Sequence, residues 1–398
     1  MKKKLLVISF QPYDARMYPH LYDAIAGLKQ VFDIDYIAND DRGYGLYDLF
    51  GHLWPFNKRR EVKKILNGIY RASCIIKNRY IALTSIRHIL VSGAYDGVIA
   101  IDHQALNMAC FYAPLGKKIF FWSHDIICAD SRYYRSPLIR RMLQNNKIAI
   151  RRCGLIIVQD EFRGALLDSV INSYEIEKVY FPVSLKDNSF AMQVAEQKRC
   201  SIMHQLPIKI MQITACSRRG SNLLLQEVQS APQVVKLYFQ GIVFENMFDA
   251  IHSAYYRPTI FPINDSFEKM RTNIATIDIG FVSYIRKELN ERFISYATGQ
   301  AVEFLRLGIP LLSFGNDIWG RFVESHNVGI HLTNIHELVE SLLHLKKHYN
   351  DYSMSARKLY SSTFDIDRHL PTLTEKLQMS FSDTRCSSFL HGPVTFRW

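Results

Sequence analysis

The chain is short of several things, and each shortage removes a class of protein. No apolar run approaches the roughly 18 residues that a membrane-spanning helix requires. The most hydrophobic pieces, Val98-Ile99-Ala100-Ile101 and Ile119-Phe120-Phe121-Trp122, are only strand-length. The 398 residues hold seven cysteines, an odd number, scattered and never in a C-x-x-C pair. That spacing supports neither a disulfide framework nor a zinc site, and it reads as reduced thiols. No G-x-G-x-x-G follows an apolar run, which disfavours a nicotinamide-dependent oxidoreductase. Low-complexity segments and short-period repeats are also missing, so a solenoid is not expected. The apolar stretch after Met1-Lys2-Lys3-Lys4 covers only residues 5–10 and stops at Gln11-Pro12. A secretory core needs roughly 7–15 apolar residues, so a first buried strand and a cytoplasmic location are expected.

Negative charge is the remaining deficit. Asp and Glu number 37 against 49 Lys and Arg, for a formal net charge of +12. Such a surplus favours an anionic partner. The cations are spread through the chain and no nucleic-acid motif appears, so nucleic acid is not the expected partner. Peripheral contact with an anionic membrane, at the inner face of the plasma membrane, is preferred over a merely basic soluble surface. Its carriers would be Lys58-Arg59-Arg60 with Lys63-Lys64, and Arg132-Tyr133-Tyr134-Arg135 with Arg140-Arg141.

What is present is an ordinary globular composition, 48% hydrophobic and 22% charged. At about 150 residues per domain the length implies two or three domains. Apolar strands are read at 5–10, 32–37, 95–101, 117–122, 154–158 and 179–182, with helices at 18–29, 104–113, 137–152 and 161–173 between them. Residues 184–206 turn polar and lose their period. Alternation restarts with strands at 208–214, 234–240, 276–282 and 310–314, a helix at 221–230 and helices from 335 to 377. Continuous apolar strands alternating with helices predict parallel sheets covered on both faces. The expected fold is α/β, with two Rossmann-like domains facing across a cleft. The boundaries are 1–183 for the first domain, 184–206 for a linker, 207–365 for the second domain, 366–380 for a returning helix and 381–398 for a tail. Residues 45–90 are irregular, with an amphipathic basic helix starting near Arg59. Open parallel sheets bind ligands at the carboxyl ends of their strands.

The most informative segment is Gln300-Ala301-Val302-Glu303-Phe304-Leu305-Arg306-Leu307-Gly308-Ile309-Pro310. Glu303 is read in the first turn of a short helix that Gly308 closes and after which Pro310 opens a strand. A carboxylate there can accept hydrogen bonds from vicinal hydroxyls, or merely complement the helix dipole. E-[FY]-L-x-x-G-x-P resembles the donor-site signature of the GT-B glycosyltransferases, particularly the retaining, family 4-like group acting in bacterial polysaccharide biosynthesis. The resemblance extends to 275–282, to Gln212-Ile213-Thr214-Ala215-Cys216-Ser217-Arg218-Arg219-Gly220, to Trp122-Ser123-His124-Asp125 and to Val179-Tyr180-Phe181-Pro182. It implies a GT-B fold with C-terminal helices packing back on the first domain. It also implies a hexosyltransferase-like enzyme moving sugar from a nucleotide-sugar donor to a glycan or lipid-linked acceptor, with no cofactor or metal.

The resemblance makes Glu303 the ribose ligand and places Phe281, Thr298 and Gly299 beside the donor. Three departures stand out: Ser295 where the family often has a first Glu, Thr298-Gly299-Gln300 where related members have Pro-Asn-Lys, and no Gly-rich turn after the first strand. Arg218 and Arg219, between a strand and a helix, suit a diphosphate leaving group, with Arg219 preferred. His124 and Asp125 end one buried strand and His103 follows another, where they could hold sugar hydroxyls or move a proton. Asp14 and Arg16 follow the first strand on the acceptor side, and Asp14 is the candidate base for an inverting reaction. A nucleotide-sugar epimerase and a non-catalytic binder of the same fold are the alternatives.

Overall fold

The computed structural model describes residues 2–12, 18–39, 87–201, 206–213, 220–241, 245–262 and 267–382. Asp14, Arg16, Arg218, Arg219, the basic run at 58–64 and the segment from 383 onward lie outside the described residues.

Among the described residues twelve strands form two six-stranded sheets, and every pairing is parallel. The first sheet runs in the order β2-β1-β3-β4-β5-β6. Its strands are β1 (Lys4–Pro12), β2 (Asp33–Asn39), β3 (Gly97–Ile101), β4 (Lys118–Trp122), β5 (Cys153–Val158) and β6 (Lys178–Tyr180). Among them run α1 (Pro19–Leu28), α2 (Asp102–Tyr112), α3 (Pro137–Ala149) and α4 (Glu161–Ile171). Side chains alternate between faces along a strand, and both faces are covered, which is why these strands read as unbroken apolar runs. Leu6, Ile8, Val98, Phe121 and Ile156 pack on one face. Leu5, Val7, Ile99, Phe120, Trp122 and Leu155 pack on the other.

Next comes α5 (Ser189–Ser201). This helix lies inside residues 184–206, where no periodic structure was expected. Ala191, Val194 and Ala195 sit one helical turn apart and are buried, so small apolar residues spaced i, i+3, i+4 carry it through a polar stretch. Lys198 on the same helix reaches Asp278 at 3.7 Å.

The second sheet has the order β12-β11-β10-β7-β8-β9. Its strands are β7 (Ile208–Ile213), β8 (Val235–Gly241), β9 (Thr259–Pro262), β10 (Ile279–Ser283), β11 (Leu311–Phe314) and β12 (Gly329–Leu332). The helices are α6 (Ser221–Val228), α7 (Glu245–Ser253), α8 (Phe267–Ala275), α9 (Leu289–Arg292), α10 (Gly299–Arg306), α11 (Asp317–Ser325), α12 (Leu338–Lys347) and α13 (Tyr349–Leu359). The last helix, α14 (Ile366–Ser382), returns to the first domain. Its Ile366, Leu373 and Leu377 complete the cluster begun by Leu21, Ile25 and Leu28 of α1. The approach is close enough that a Cβ on Gly27 would lie 2.2 Å from Leu370.

Each sheet changes winding direction once, at β1/β3 and at β7/β10. Ligand crevices in open α/β sheets form at such switch points, outside the carboxyl ends of the strands. The two sets of carboxyl ends face each other. The Ile126 amide after β4 donates to Asn290 Oδ1 at 3.0 Å, and the Leu289 amide donates to Asp130 Oδ2 at 2.7 Å. The Val183 amide after β6 donates to the Tyr296 carbonyl at 2.9 Å.

Candidate functional site

On the first-domain side the site begins where β3 ends. Asp102 takes a left-handed conformation (φ 65), which an Asp tolerates better than most side chains. The turn lets its Oδ1 accept the backbone amides of His124 (2.8 Å) and Asp125 (3.2 Å) at the end of β4. Burial, with Asp125 adding a like charge, pushes the Asp102 carboxyl up to about 7. Asp125 itself is exposed.

The His124 ring lies nearly parallel to Trp122, with centroids 5.8 Å apart and planes 17° apart. Its Nδ1 is 3.3 Å from Nε2 of His20, the second residue of α1. Burial, and then the Arg163 guanidinium, hold His124 down at about 3. Burial, and then His124, lower His20 well below the ordinary range. Both imidazoles are therefore neutral at physiological pH, and one donates to the other. The outer nitrogens, His124 Nε2 and His20 Nδ1, are buried and have no hydrogen-bond partner among the described residues. Unpaired buried polar atoms are costly, so this pair offers a donor and acceptor set to a polar ligand. His20 was not reached from the sequence. Its only signal is its place in Pro19-His20, a few residues after β1 in sequence.

Arg163 is the other residue the sequence did not reveal. It is fully buried on α4. Nε donates to Gln159 Oε1 at 2.7 Å, and Nη2 donates to the His124 carbonyl at 2.6 Å. Nη2 also reaches Asn290 Oδ1 at 3.0 Å, while Nη1 reaches the carbonyls of Asn290 (3.1 Å) and Phe293 (3.4 Å). His103, expected on the acceptor side, is a core residue. Its Nδ1 lies 2.9 Å from Asn146 Nδ2, the ring packs on Phe121, and burial lowers it to about 4.

The second-domain side gathers at the ends of β7, β10 and β11. Gly220 (φ 73) starts α6 so close to β10 that a Cβ would lie 3.4 Å from Ser283 Oγ. Phe281 does not line this crevice: it is fully buried and belongs to the core under α6 and α12. Thr298 is also buried. Its Oγ1 accepts the Tyr284 hydroxyl at 2.7 Å and the Ala301 amide at 3.4 Å, which caps α10. Gly299 is the first residue of that helix, 3.8 Å from Val183 measured from an added Cβ.

Helix α10 begins at Gly299, which moves Glu303 from the expected first turn to the second. A dipole role is weak that far in, because the effect decays within a turn. Instead Glu303 Oε2 accepts both Nε (3.1 Å) and Nη2 (2.9 Å) of the fully buried Arg306. Oε1 faces Arg271 Nε at 3.8 Å. Asp23 of α1 lies within electrostatic reach of this group, and burial raises its carboxyl. Arg357 joins beneath, paired with Asp187 at 2.7 Å and donating to the Arg306 carbonyl. Glu303 thus sits in a buried ion network between the domains, with Oε2 committed and Oε1 less so. Among the described residues no group of three or more His, Cys, Asp or Glu side chains could hold a metal ion.

No protein-family model matches the chain, and no curated protein matches it in sequence. Solved structures do. The chain has the GT-B fold, shared with glycosyltransferases at low identity. Sucrose-phosphate synthase from Thermosynechococcus elongatus superposes with a TM-score of 0.62 at 11% identity, over 96% of this chain and 100% of that one. Anabaena HepE in complex with UDP-glucose gives 0.59 at 14% identity, over 95% and 100%. A Listeria monocytogenes protein assigned as a UDP-N-acetylglucosamine 2-epimerase gives 0.52 at 12% identity, over 98% and 100%.

Proposed function

We propose that this chain is a glycosyltransferase that moves a hexosyl group from a nucleotide-sugar donor on the second domain to an acceptor on the first. One observation carries the reading: the switch-point ends of two parallel sheets meet face to face, with polar groups converging from both sides. In this reading the nucleotide lies at the ends of β7 and β10, and the ribose hydroxyls donate to Glu303 Oε1. The diphosphate is assigned to Arg218 and Arg219, which follow β7 in sequence. The sugar reaches across to the His20–His124 pair, whose outer nitrogens take its hydroxyls. Charge on the departing diphosphate is met by fixed cations, so no bound metal is needed to stabilise it. HepE is a solved complex with UDP-glucose, which makes uridine nucleotides the first probes.

The acceptor is a growing cell-surface glycan or its lipid-linked precursor, reached from the cytoplasmic face of the membrane. The support is α3 and its flanks. Residues 131–159 contain seven Lys or Arg and no Asp or Glu. Arg132, Arg135, Arg140, Lys147 and Arg151 are exposed there, beside Leu138 (57% exposed) and Ile148 (41%). A mixed cationic and apolar face suits an anionic bilayer surface. No helix among the described residues is long and apolar enough to cross one.

Calorimetric titration with UDP, GDP, ADP and dTDP tests the donor site, in wild type and in Glu303→Ala. One nucleotide should bind with micromolar affinity and weaken at least about tenfold in the variant, the loss of one or two hydrogen bonds to a charged acceptor. Because Glu303 partners a buried arginine, the variant must first be shown folded by circular dichroism. Binding of none of the four by folded wild-type protein overturns the assignment.

A second reading, a nucleotide-sugar epimerase of the same fold, has one observation in its favour. Asp102 and Asp125 are adjacent carboxyl groups at the cleft, and the first is raised toward neutrality, as in acid/base pairs.

A further inference from the structure

The loop between β10 and α10 (residues 284–298) does three things at once. It begins at Ser283 beside the switch point of the second sheet and ends at Thr298, the cap of the helix that carries Glu303. Between those ends it crosses to the first domain. There Asn290 Oδ1 accepts from both Arg163 Nη2 and the Ile126 amide. Phe293 stacks on Phe162 with centroids 6.1 Å apart and planes 6° apart. The loop is also tied to its own domain, because Asn316 Nδ2 donates to the carbonyls of Glu291 (2.6 Å) and Arg292 (3.3 Å).

Arg163 has five N–H groups, and the loop takes three of its five hydrogen bonds. The other two go to Gln159 and the His124 carbonyl. Gln159 in turn donates Nε2 to the Ser123 carbonyl at 2.7 Å. The turn that presents His124 is therefore held by Asp102 from below, by Gln159 at Ser123, and by an arginine whose remaining donors need the other domain. When the domains separate, Arg163 loses three acceptors in a buried place, and a charged donor without partners is costly there. The guanidinium must then reorient or hydrate, and the His124 carbonyl loses its 2.6 Å contact.

We propose that Arg163 is a positioning residue that couples closure of the two domains, through Asn290, to the placement of the His124–Asp125 turn. The sugar-facing imidazole pair is set only when the donor-carrying domain has docked. The catalytic meaning of the coupling rests on the glycosyl-transfer reading above; the coupling itself does not.

The test uses the full chain with Asn290→Ala, Asn290→Asp and Arg163→Lys, followed by hydrogen exchange. Asn290 is half-buried, so its truncation spares the core even if Arg163→Lys fails to fold. In Asn290→Ala the amides of His124 and Asp125, which bond Asp102 and not Asn290, should exchange about tenfold faster, matching the loss of one charge-assisted hydrogen bond; Ile126, whose amide loses Asn290 itself, is left out of the comparison. Cores of both sheets should keep wild-type protection. Asn290→Asp, which keeps the acceptor, should restore it. UDP release from UDP-glucose in water is the second readout: kcat should fall about tenfold in Asn290→Ala, with the Kd for UDP within about twofold of wild type. Faster exchange confined to 284–298 and Ile126, with His124 and Asp125 unchanged, overturns the proposal. So does a change in Kd that equals the change in kcat/KM. If wild type binds no nucleotide but His124 and Asp125 lose protection in Asn290→Ala, the coupling stands and the transfer reading falls.

Discussion

Replacing Asp102 with Asn should stabilise the protein at alkaline pH and leave it unchanged in acid. The folded carboxyl holds its proton up to about pH 7, whereas an unfolded Asp gives it up near 3.9. Between those values the folded state binds more protons than the unfolded one, so stability falls as pH rises through that window. About three pH units at 1.36 kcal/mol each sets an upper bound of about 4 kcal/mol; relaxation around a partly solvated group reduces it to about 2–4 kcal/mol. Asn keeps what the geometry uses. Its Oδ1 can accept the His124 and Asp125 amides as Asp102 Oδ1 does, and Asn is among the non-glycine residues best suited to φ 65. Urea unfolding at pH 5, 6, 7 and 8.5 reads the effect. Asp102→Asn should already exceed wild type by about a third of its full gain at pH 5, because the window opens near 3.9, and reach nearly all of that gain by pH 8.5. Asp102→Ala should fall about 1–3 kcal/mol below Asp102→Asn at every pH, because the His124 and Asp125 amides lose their acceptor. If Asn and Ala destabilise equally at pH 8.5, the penalty on the buried charge is not there and the reasoning fails.

Two further outcomes concern the second domain. Lys198 and Asp278 are each less than a tenth exposed and 3.7 Å apart, and burial brings the amine down to about 8. Removing the lysine (Lys198→Met) should change stability by less than about 1 kcal/mol or raise it, since Asp278 Oδ2 still accepts the Lys209 amide. Asp278→Ala should cost about 3–5 kcal/mol by stranding a buried ammonium; comparing denaturant midpoints of the two variants checks the asymmetry. At Gly329 a Cβ would lie 1.9 Å from the Leu311 carbonyl oxygen. Gly329→Ala should therefore cost at least about 1–3 kcal/mol by forcing β12 off β11, read as a lower thermal midpoint.

The fold was legible in the sequence because both faces of each sheet are buried, so segments such as Val98-Ile99-Ala100-Ile101 stand out without any alternation to decode. Residues 184–206 misled for a related reason: α5 buries Ala191, Val194 and Ala195, and small residues among Lys, Gln and Arg leave a faint periodic signal. Strand ends drew attention to His124 and Asp125, since a parallel sheet places all its carboxyl ends on one edge. Partners across the chain could not be read. His20 is 104 residues from His124, and Arg163 is 127 from Asn290. Within Glu161-Phe162-Arg163 the arginine looks like a solvated helix cation, and only the docked loop makes it a buried one. Phe281 misled in the opposite sense: it neighbours the donor loop in sequence, but alternation along β10 turns it inward while Val282 faces the other layer.

Transfer and epimerisation can be separated by the fate of one hydrogen. Epimerisation by proton abstraction breaks a sugar C–H bond and rebuilds it from a solvent-exchanged acid, so product formed in deuterium oxide carries deuterium at the inverted carbon. Transfer breaks only the bond between the anomeric carbon and the leaving oxygen, and every C–H bond survives. The geometry favours the second outcome. Asp102 Oδ1 is already shared by two backbone amides, so the carboxyl is held as a brace beneath the turn. The buried nitrogens left unpaired are His20 Nδ1 and His124 Nε2, on neutral rings suited to holding hydroxyls. Both His20 and His124 are held far below neutrality, so neither supplies a protonated acid at pH 7. Incubating the protein with UDP-glucose and with UDP-N-acetylglucosamine in deuterium oxide, then recording proton spectra of the recovered sugars, should show free sugar and UDP with full proton intensity at every ring carbon. Loss of intensity at one carbon of the recovered nucleotide sugar, abolished in Asp125→Asn, would overturn the transfer reading in favour of the epimerase.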